Sequence, residues 1–415
     1  MNILWLKTEL LHPVDKGGKI RTYNMLKELK RDHQITYLTL DDGSATAGER
    51  ERANEYCHEL ECVPHQHREK FTGRFYAELL FNLASPYPYA IKKYESALMR
   101  RHISERMSTG AFDVLICDFL APAVNLPPNL PVPSVLFQHN VEATIWKRHY
   151  EVQSNTLKKA YLLGQWRKMR SFEEQMCRRF DCVIAVSAED REQMRQEYSA
   201  TAVFDVPTGV DTDFFRPREQ EKLEPHNVVF TGSMDWLPNE DAIRYFTEQI
   251  MPLIKQKVPT VTLTVVGRNP YPGLLELSKR DNSIVVTGRV DDVRPFMERA
   301  AAYVVPLRIG GGTRLKIFEA MAMEKAVIST TIGAEGLPVR NDEELILADT
   351  PEAFASSVVR LLQDHALARR MGQRAAARVR EMFGWRRVAE DFASLCENTV
   401  NKAAEQASVA DESFL

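Results

Sequence analysis

The residues best suited to chemistry in this chain are concentrated between positions 308 and 319. A glycine turn, a helix-capping hydroxyl, three cations and one carboxylate occur there together: Arg308, Gly310, Gly311, Gly312, Thr313, Arg314, Lys316 and Glu319. Consecutive glycines let a ligand approach bare backbone, and the start of a helix presents free N–H groups at the positive end of its dipole. Such a turn, surrounded by fixed positive charge, is suited to a phosphate group. The alternative is an ordinary glycine turn between a strand and a helix.

The sequence on both sides of this turn predicts the elements that position it. Residues 303–307 and 326–330 are short apolar runs typical of strands, and between them Leu315 begins an apolar series at helical spacing. Lys316 and Glu319 are three positions apart, so they share one face of the predicted helix. The turn therefore lies between a strand and the first turn of a helix.

A second candidate is a histidine that directly follows a predicted strand at residues 134–137. In doubly wound sheets, functional groups lie just past the carboxyl ends of strands, and His139 holds that position. We therefore expect His139 to contact a substrate, with a purely structural histidine as the alternative. Asp118 ends the preceding predicted strand and is a weaker candidate for the same edge. Asn140 and Glu142 are placed to orient the histidine or to touch an acceptor.

The N-terminus predicts the start of a doubly wound sheet. A strand at residues 2–6 is followed by a loop, a helix at residues 20–31 and a second strand at residues 34–40. Gly17 and Gly18 stand where the helix begins. They serve either a close backbone approach to a donor phosphate or acceptor, or a simple turn before the helix.

Length and composition limit the class of protein. The chain has 415 residues, 44% of them hydrophobic, which predicts two α/β domains. A net charge of −3 gives no indication of a nucleic-acid partner. The N-terminus lacks a signal-peptide pattern, and six scattered cysteines agree with a reducing compartment, so we expect a cytoplasmic protein. The spacing of Cys57, Cys62, His65 and His67 matches no standard zinc pattern, and no metal site is predicted.

Residues 306–337, PLRIGGGTRLKIFEAMAMEKAVISTTIGAEGL, resemble the donor-binding segment of glycosyltransferase family 4. Members of this family are retaining enzymes of GT-B architecture that use nucleotide-sugar donors. The resemblance implies an α/β fold with two Rossmann-like doubly wound domains facing a central cleft, and a C-terminal helix that crosses back to the first domain. The GGGTRLK subgroup resembles sugar transferases of bacterial surface-polysaccharide assembly.

The resemblance also assigns roles to residues of this chain. Glu319 corresponds to the glutamate that holds the donor ribose, and His139 to a histidine that contacts the donor sugar as the catalytic group. The backbone at Arg289 and Val290 corresponds to the segment beside the nucleobase. The diphosphate and sugar are assigned to two glycine loops and their neighbours: Gly17, Gly18, Arg308, Gly310, Gly311, Gly312, Thr313, Arg314, Leu315 and Lys316. No metal or other cofactor is implied.

The sequence departs from the family pattern in two motifs. Many members show E-x7-E ending at the ribose glutamate, but Gly311 replaces the first glutamate here. The arginine and lysine of a G-R-L-x-x-x-K segment commonly hold the diphosphate, and Ser233 and Pro238 stand in their places. A diphosphate leaving group still needs positive charge to stabilise it. We therefore expect the cations of the glycine turn to take over, with Arg314 and Lys316 as the first choices.

These observations predict a hexosyltransferase-like retaining enzyme that moves a sugar from a nucleotide diphosphate-sugar to a hydroxyl of a glycan, lipid-linked or small-molecule acceptor. The predicted parts are an acceptor domain, a linker, a donor domain, a crossover helix and a disordered tail: residues 1–215, 216–226, 227–384, 385–404 and 405–415. The main alternative is a non-catalytic nucleotide-sugar-binding protein of GT-B fold. An NAD-dependent oxidoreductase is disfavoured, because no G-x-G-x-x-G follows the first strand.

The N-terminal half contains two basic stretches, residues 65–106 and 147–179, which also carry aromatic side chains. Basic helices with aromatic residues bind anionic membrane surfaces. Peripheral contact with the inner face of a membrane is therefore one hypothesis, and solvated helix faces are the alternative.

Overall fold

The chain divides into two compact units, each built around a parallel sheet. Unit 1 consists of Met1–Pro207 with Val388–Leu415, and unit 2 of Thr208–Arg387. The computed structural model describes residues 1–14, 17–66, 71–218, 220–309 and 315–412. Two parallel α/β units confirm the predicted fold class.

Seven strands form the sheet of unit 1, in the order β3-β2-β1-β4-β5-β6-β7. Along the chain they are β1 Asn2–Lys7, β2 Gln34–Asp41, β3 Glu59–Pro64, β4 Val114–Asp118, β5 Ser134–Phe137, β6 Cys182–Ala185 and β7 Val203–Asp205. All of the described pairings are parallel. Strands β4, β5 and β6 are buried along their whole length, which explains their continuous apolar sequences.

The helices of unit 1 connect these parallel strands. They are α1 Gly17–Leu29, α2 Ala47–Glu51, α3 Gly73–Asn82, α4 Tyr89–Lys92, α5 Ala97–Ser108, α6 Glu142–Val152, α7 Thr156–Arg179 and α8 Ala188–Tyr198. The basic stretch at residues 147–179 forms two helices, α6 and α7, within the predicted range of one or two. Among the described residues, no helix combines the length and apolar character needed to cross a bilayer.

Unit 2 has a six-stranded parallel sheet in the order β10-β9-β8-β11-β12-β13. Its strands are β8 Glu224–Thr231, β9 Thr262–Val266, β10 Ile284–Gly288, β11 Ala300–Val305, β12 Val327–Ser329 and β13 Ile346–Leu347. Its helices are α9 Leu237–Tyr245, α10 Met251–Lys257, α11 Pro272–Arg280, α12 Arg294–Arg299, α13 Leu315–Ala322, α14 Pro351–Gln363 and α15 His365–Phe383. The predicted strand, helix and second strand correspond to β11, α13 and β12, and the glycine turn predicted between β11 and α13 lies outside the described residues.

The last helix, α16 (Trp385–Glu412), begins in unit 2 and belongs to unit 1 from Val388 onward. Within unit 1 its Phe392 ring lies 5.8 Å from that of Trp5 and 5.0 Å from that of Phe137. The helix continues past residue 404, where the sequence predicted a disordered tail to begin. The added residues are rich in alanine and glutamate, which favour helix.

Unit 2 begins at Thr208, eight residues before the predicted linker at 216. The backbone N–H of Val210 donates a 2.7 Å hydrogen bond to the carbonyl of Phe383. A Cβ added at Gly209 would lie 2.5 Å from the ring of Trp385. These contacts fix the segment after Pro207 to α15 and to the start of α16.

Candidate active site

One candidate site lies within unit 2 at the carboxyl end of β8, where α13 contributes Lys316. Its Nζ donates a 2.9 Å hydrogen bond to Oδ1 of Asn239 and lies 4.2 Å from the ring centroid of Phe230. A Cβ added at Gly232 would lie 2.8 Å from this Nζ. The ammonium group of Lys316 is therefore held over the loop between β8 and α9.

A second cation, which the sequence analysis missed, lies on the same loop. Arg268 follows β9, and its Nε donates a 2.9 Å hydrogen bond to Oγ of Ser233. Ser233 stands where the family pattern has an arginine. Because β9 pairs directly with β8, the sheet brings Arg268 to the loop after β8. Nothing in the spacing of the sequence indicated this neighbour.

The loop after β8 and the loop after β9 also pack against each other through their backbones. A Cβ added at Gly267 would lie 1.7 Å from the carbonyl oxygen of Gly232. The N–H of Met234 donates a 2.9 Å hydrogen bond to the carbonyl of Arg268. Only glycine fits at position 267, so a glycine there allows the two loops to pack in close contact.

Glu319 lies one helical turn after Lys316 and is half-buried. Burial raises the pKa of its carboxyl to about 7, and the positive charge of Lys316 opposes this shift. Burial also raises the pKa of Tyr303, whose hydroxyl pairs with Thr231, and the charge of Glu319 raises it further. The site thus holds a carboxylate that titrates near neutrality beside a lysine.

Arg308 is engaged by a carboxylate. Its Nε and Nη2 lie 3.1 Å and 2.6 Å from the carboxylate oxygens of Asp241 on α9, and its guanidinium lies 4.4 Å from the ring centroid of Tyr245. The predicted phosphate-binding residues Gly310, Gly311, Gly312, Thr313 and Arg314 lie outside the described residues. Leu315 is the first residue of α13 and is half-buried.

The predicted nucleobase segment follows β10, the strand beyond β9. Arg289 is exposed there, and Val290 is half-buried against the core of unit 2. The carboxyl ends of three adjacent strands, β10, β9 and β8, therefore carry Arg289, Arg268 and Ser233 in that order.

A separate candidate site within unit 1 is centred on Asp118, the last residue of β4. Its Oδ2 accepts hydrogen bonds from Lys7 Nζ at 2.8 Å, Trp5 Nε1 at 3.0 Å and Thr22 Oγ1 at 2.6 Å. Its Oδ1 lies 2.7 Å from His139 Nε2. All five side chains are buried. The structure thus brings His139 and Asp118 together, and it adds a lysine that the sequence analysis missed.

The titratable groups around Asp118 differ in how their environment shifts their pKa values. Burial lowers the pKa of His139 to about 3, although the negative charge of Asp118 opposes this shift. Burial alone would raise the pKa of Asp118, but Lys7 and His139 outweigh burial and hold it below its ordinary range. Burial lowers the pKa of Lys7 despite its ion pair with Asp118. At neutral pH the histidine is therefore uncharged beside an ionised aspartate.

The other ring nitrogen of His139, Nδ1, is buried and makes no hydrogen bond within the described part of the chain. Burying a polar atom without a partner is unfavourable, so such an atom marks a place for a ligand or an ordered water. This is consistent with the predicted substrate contact of His139.

Gly18 has a packing role beside this histidine. The Phe119 ring stacks on His139 with centroids 3.8 Å apart, and a Cβ at Gly18 would lie 2.9 Å from the Phe119 ring. The φ of Phe119 is +70°, a left-handed conformation that non-glycine residues seldom adopt. Gly17 is the first residue of α1, with open space around its Cα. The start of α1 and the end of β5 therefore meet at Phe119.

A buried glutamate fixes the segment that carries His139. Glu173 on α7 accepts hydrogen bonds from the Gln138 side chain, the N–H groups of Glu142 and Ala143, and the Tyr198 hydroxyl, at 2.7–3.0 Å. Burial raises the pKa of Glu173 to about 7, and the hydrogen bonds oppose this shift. Residues 138 and 142–143 are thereby held on both sides of His139.

The comparisons with known proteins agree with this architecture. A family model described as Glycosyltransferase Family 4 matches residues 16–214, and one described as Glycosyl transferases group 1 matches residues 225–364. A Klebsiella pneumoniae relative, described as an uncharacterized 44.6 kDa protein in the cps region, is 20% identical over 371 residues. The match covers 86% of this chain and 90% of the relative.

Solved structures share the fold of the whole chain. Sucrose-phosphate synthase from Thermosynechococcus elongatus superimposes with a TM-score of 0.66 at 17% identity, covering 96% of this chain and 98% of that one. The Anabaena protein HepE, solved in complex with UDP, gives a TM-score of 0.63 at 14% identity and covers 96% and 100%.

Two parallel α/β units with these matches define a glycosyltransferase of GT-B fold. More particularly, the N-terminal part of the chain is similar to glycosyltransferase family 4 and the following part to the group 1 glycosyl transferases.

Proposed function

We propose that this glycosyltransferase is a retaining enzyme that transfers a sugar from a nucleotide diphosphate-sugar to an acceptor hydroxyl. Unit 2 binds the donor, and unit 1 binds the acceptor. The observation that carries this proposal is the convergence of Lys316 and Arg268 on the loop after β8, with Glu319 one turn along α13.

Lys316 and Arg268 replace the positive charge that is missing at Ser233 and Pro238. Their side chains contact Asn239 and Ser233: Ser233 lies in the segment that holds the diphosphate in the family pattern, and Asn239 directly follows that segment. Arg308 contributes less, because Asp241 already compensates its charge. Positive groups fixed in place before the reaction stabilise the charge that develops on a departing diphosphate.

The reaction breaks the bond between the anomeric carbon and the diphosphate oxygen, and it forms a bond from that carbon to the acceptor oxygen. In the proposed retaining mechanism, the leaving phosphate takes the acceptor proton on the same face of the sugar. Neutral His139 hydrogen-bonds the donor sugar through Nδ1 and does not act as a nucleophile. No metal takes part in this proposal.

The biological setting we propose is the synthesis of cell-surface polysaccharide from the cytoplasmic side. The family resemblance supports it, as does the Klebsiella relative that lies in a cps region. The UDP bound to HepE makes uridine nucleotides the first donors to examine.

A thermal-shift panel of nucleotide diphosphates and their sugars tests the donor site. A ligand at 100 times its dissociation constant should add about 2.7 kcal/mol to the unfolding free energy. One nucleotide series should stabilise the wild type and the control Glu276→Ala, an exposed glutamate on α11, but not Glu319→Ala. Stabilisation of Glu319→Ala equal to that of the wild type would contradict the assignment.

Activity must then be separated from binding alone. The absence of the first glutamate of E-x7-E, at Gly311, favours the alternative of a non-catalytic nucleotide-sugar-binding protein. That protein would bind the donor and release no nucleotide with any glycan acceptor. Nucleotide release, with an NMR spectrum that shows the same anomeric configuration in product and donor, would support the retaining enzyme.

A further inference from the structure

The guanidinium group of Arg21, on α1 of unit 1, lies next to the segment that carries His139. Its Nη1 donates a hydrogen bond of 3.5 Å to the carbonyl of His139, which is long and therefore weak. Its Nε is buried and makes no hydrogen bond within the described part of the chain. Arg21 is thus a half-buried cation that forms no ion pair with a carboxylate of the described residues.

The two carboxylates whose charge acts on Arg21, those of Asp118 and Asp190, are engaged by other groups. Asp118 is paired with Lys7 at 2.8 Å. Asp190, on α8, is hydrogen-bonded by Ser187, and burial raises the pKa of its carboxyl while this hydrogen bond opposes the shift. Both carboxylates therefore act on Arg21 from a distance and do not contact its guanidinium.

Arg21 keeps its charge in this environment. Burial lowers its pKa to about 10, and the negative charges of Asp118 and Asp190 oppose this shift, so the guanidinium is protonated at neutral pH. Burying a charge without a partner is unfavourable, and such a group therefore indicates a place for an anion. The planar array of N–H donors in a guanidinium matches two oxygens of one carboxylate or phosphate group.

The position of Arg21 places this anion close to the candidate site of unit 1. Asp118 ends β4 and His139 follows β5, and these two strands are neighbours in the sheet. The Nδ1 of His139 is a second buried group that makes no hydrogen bond to the described residues. An oxyanion bound by Arg21 therefore lies beside the substrate group that His139 contacts.

We propose that Arg21 binds a carboxylate or phosphate group of the acceptor, so that the acceptor of this glycosyltransferase is an acidic sugar or a sugar phosphate. This inference rests on the proposed function, in which unit 1 binds the acceptor. The diphosphate of the donor is the other source of an oxyanion. It already has two cations of unit 2, Lys316 and Arg268, in the proposed function, which favours the acceptor as the partner of Arg21.

The test follows the side-chain N–H signal of Arg21 by proton–nitrogen NMR of the full chain, with and without saturating UDP. Arg21→Gln identifies this signal by its loss. Methyl glucuronide or inorganic phosphate should shift the signal, whereas methyl glucoside, the neutral counterpart, should not. Arg21→Gln should weaken binding of the effective anion by about tenfold, and Arg21→Lys by less, because it keeps the charge. Arg195→Gln, an exposed arginine on α8, should change it less than about twofold.

The outcomes separate the possible sources of the anion. A shift with methyl glucuronide supports an acidic sugar, and a shift with phosphate alone supports a sugar phosphate. An Arg21 signal that neither anion moves, or equal affinity for methyl glucuronide and methyl glucoside, would overturn the inference. So would a signal that UDP alone moves, with weaker UDP binding in Arg21→Gln, because the anion would then belong to the donor.

A failure of this inference can be distinguished from a failure of the proposed function. An unchanged UDP-induced thermal shift in Arg21→Gln shows that the variant is folded and that its donor site is intact. Wild-type protein that binds no nucleotide would contradict the proposed donor site. The titrations without UDP would still show whether Arg21 binds an anion.

Discussion

Lys316 on α13 donates a 2.9 Å hydrogen bond to Asn239 on α9, and this contact joins two helices at the carboxyl end of β8. The lysine is held by the amide on one side and by the Phe230 ring on the other. Holding the ammonium group in one place reduces the reorganisation needed when a diphosphate binds and departs. In the family pattern the cations of this region stand on the β8–α9 segment, whereas here one of them reaches the segment from α13.

Replacing this lysine tests whether its charge acts on the leaving group. Lys316→Gln should lower kcat/KM by about a hundredfold, since a preorganised charge on a leaving group is removed. A steady-state assay of nucleotide release measures this. Lys257→Gln, an exposed lysine on α10, is the matched control and should change the rate less than about twofold. Equal rates for both variants would rule out the proposed role.

Arg268 gives a second, independent test of the same region. Arg268→Gln should weaken binding of the nucleotide diphosphate by about tenfold, since an exposed charged contact contributes on the order of 1–1.5 kcal/mol. Isothermal titration with UDP measures it, and Arg280→Gln on α11, an exposed arginine away from this loop, is the control. An unchanged affinity in Arg268→Gln would contradict the role of Arg268 and leave Lys316 as the cation assigned to the diphosphate.

Part of this arrangement was predictable from the sequence, and the reason is physical. Strands β4 and β5 are buried along their whole length, so their sequences are continuous apolar runs that mark them without a structure. Strand β13 has only two residues, too few to form a run. Lys316 and Glu319 were found because one helix carries both at a fixed spacing.

The residues that the sequence analysis missed, Lys7 and Arg268, reach their partners only because the sheet places distant strands side by side. Lys7 ends an apolar strand and pairs with Asp118, 111 positions away. Arg268 reaches Ser233 because β9 lies beside β8. The spacing of residues along the sequence does not specify which strands are neighbours in a sheet. The sequence therefore indicated the strand ends that carry function, but not which side chains meet there.

The pKa of Glu319 predicts a pH dependence of donor binding. A carboxylate accepts the hydroxyl groups of a ribose more strongly when ionised, and burial raises this pKa to about 7. Affinity for a UDP-sugar, whose phosphates do not titrate near neutrality, should therefore rise by up to about tenfold from pH 6 to pH 8. Isothermal titration at several pH values measures this.

Glu319→Gln is the matched control for this titration. It should bind the UDP-sugar more weakly than the wild type, with no rise in affinity across the same pH range, because the amide does not titrate. A rise that persists in the variant would assign the pH dependence to another group.

The buried ion pair of unit 1 should matter for stability. Asp118→Ala leaves the ammonium group of Lys7 buried without its partner, and this should lower the unfolding free energy by about 3–5 kcal/mol. The double variant Lys7→Met/Asp118→Leu removes both charges and should lose less than Asp118→Ala. Urea denaturation followed by tryptophan fluorescence measures both. Glu105→Ala, which breaks an exposed pair with Arg101, is the control and should cost less than about 1 kcal/mol.

His139 should contribute an acid-dependent loss of stability. Its pKa is lowered from 6.5 to about 3 in the folded protein, because burial disfavours the charged ring. Between these values the unfolded chain binds a proton that the folded chain does not, so the unfolding free energy falls as the pH falls. Near the middle of this range, this one residue contributes up to about 1.4 kcal/mol per pH unit. Urea midpoints of the wild type measured between pH 4.5 and pH 7 should show this slope.

Two substitutions without a titrating ring separate this effect from packing. His139→Gln and His139→Phe should differ from each other in midpoint, because only the phenyl ring can stack on Phe119. Both should show the same shallower dependence on pH, because neither side chain binds a proton in this range. If the wild type and both variants gave parallel curves, His139 would be protonated to the same extent in the folded and unfolded chains. The neutral imidazole required for the proposed contact between Nδ1 and the donor sugar would then lose its support.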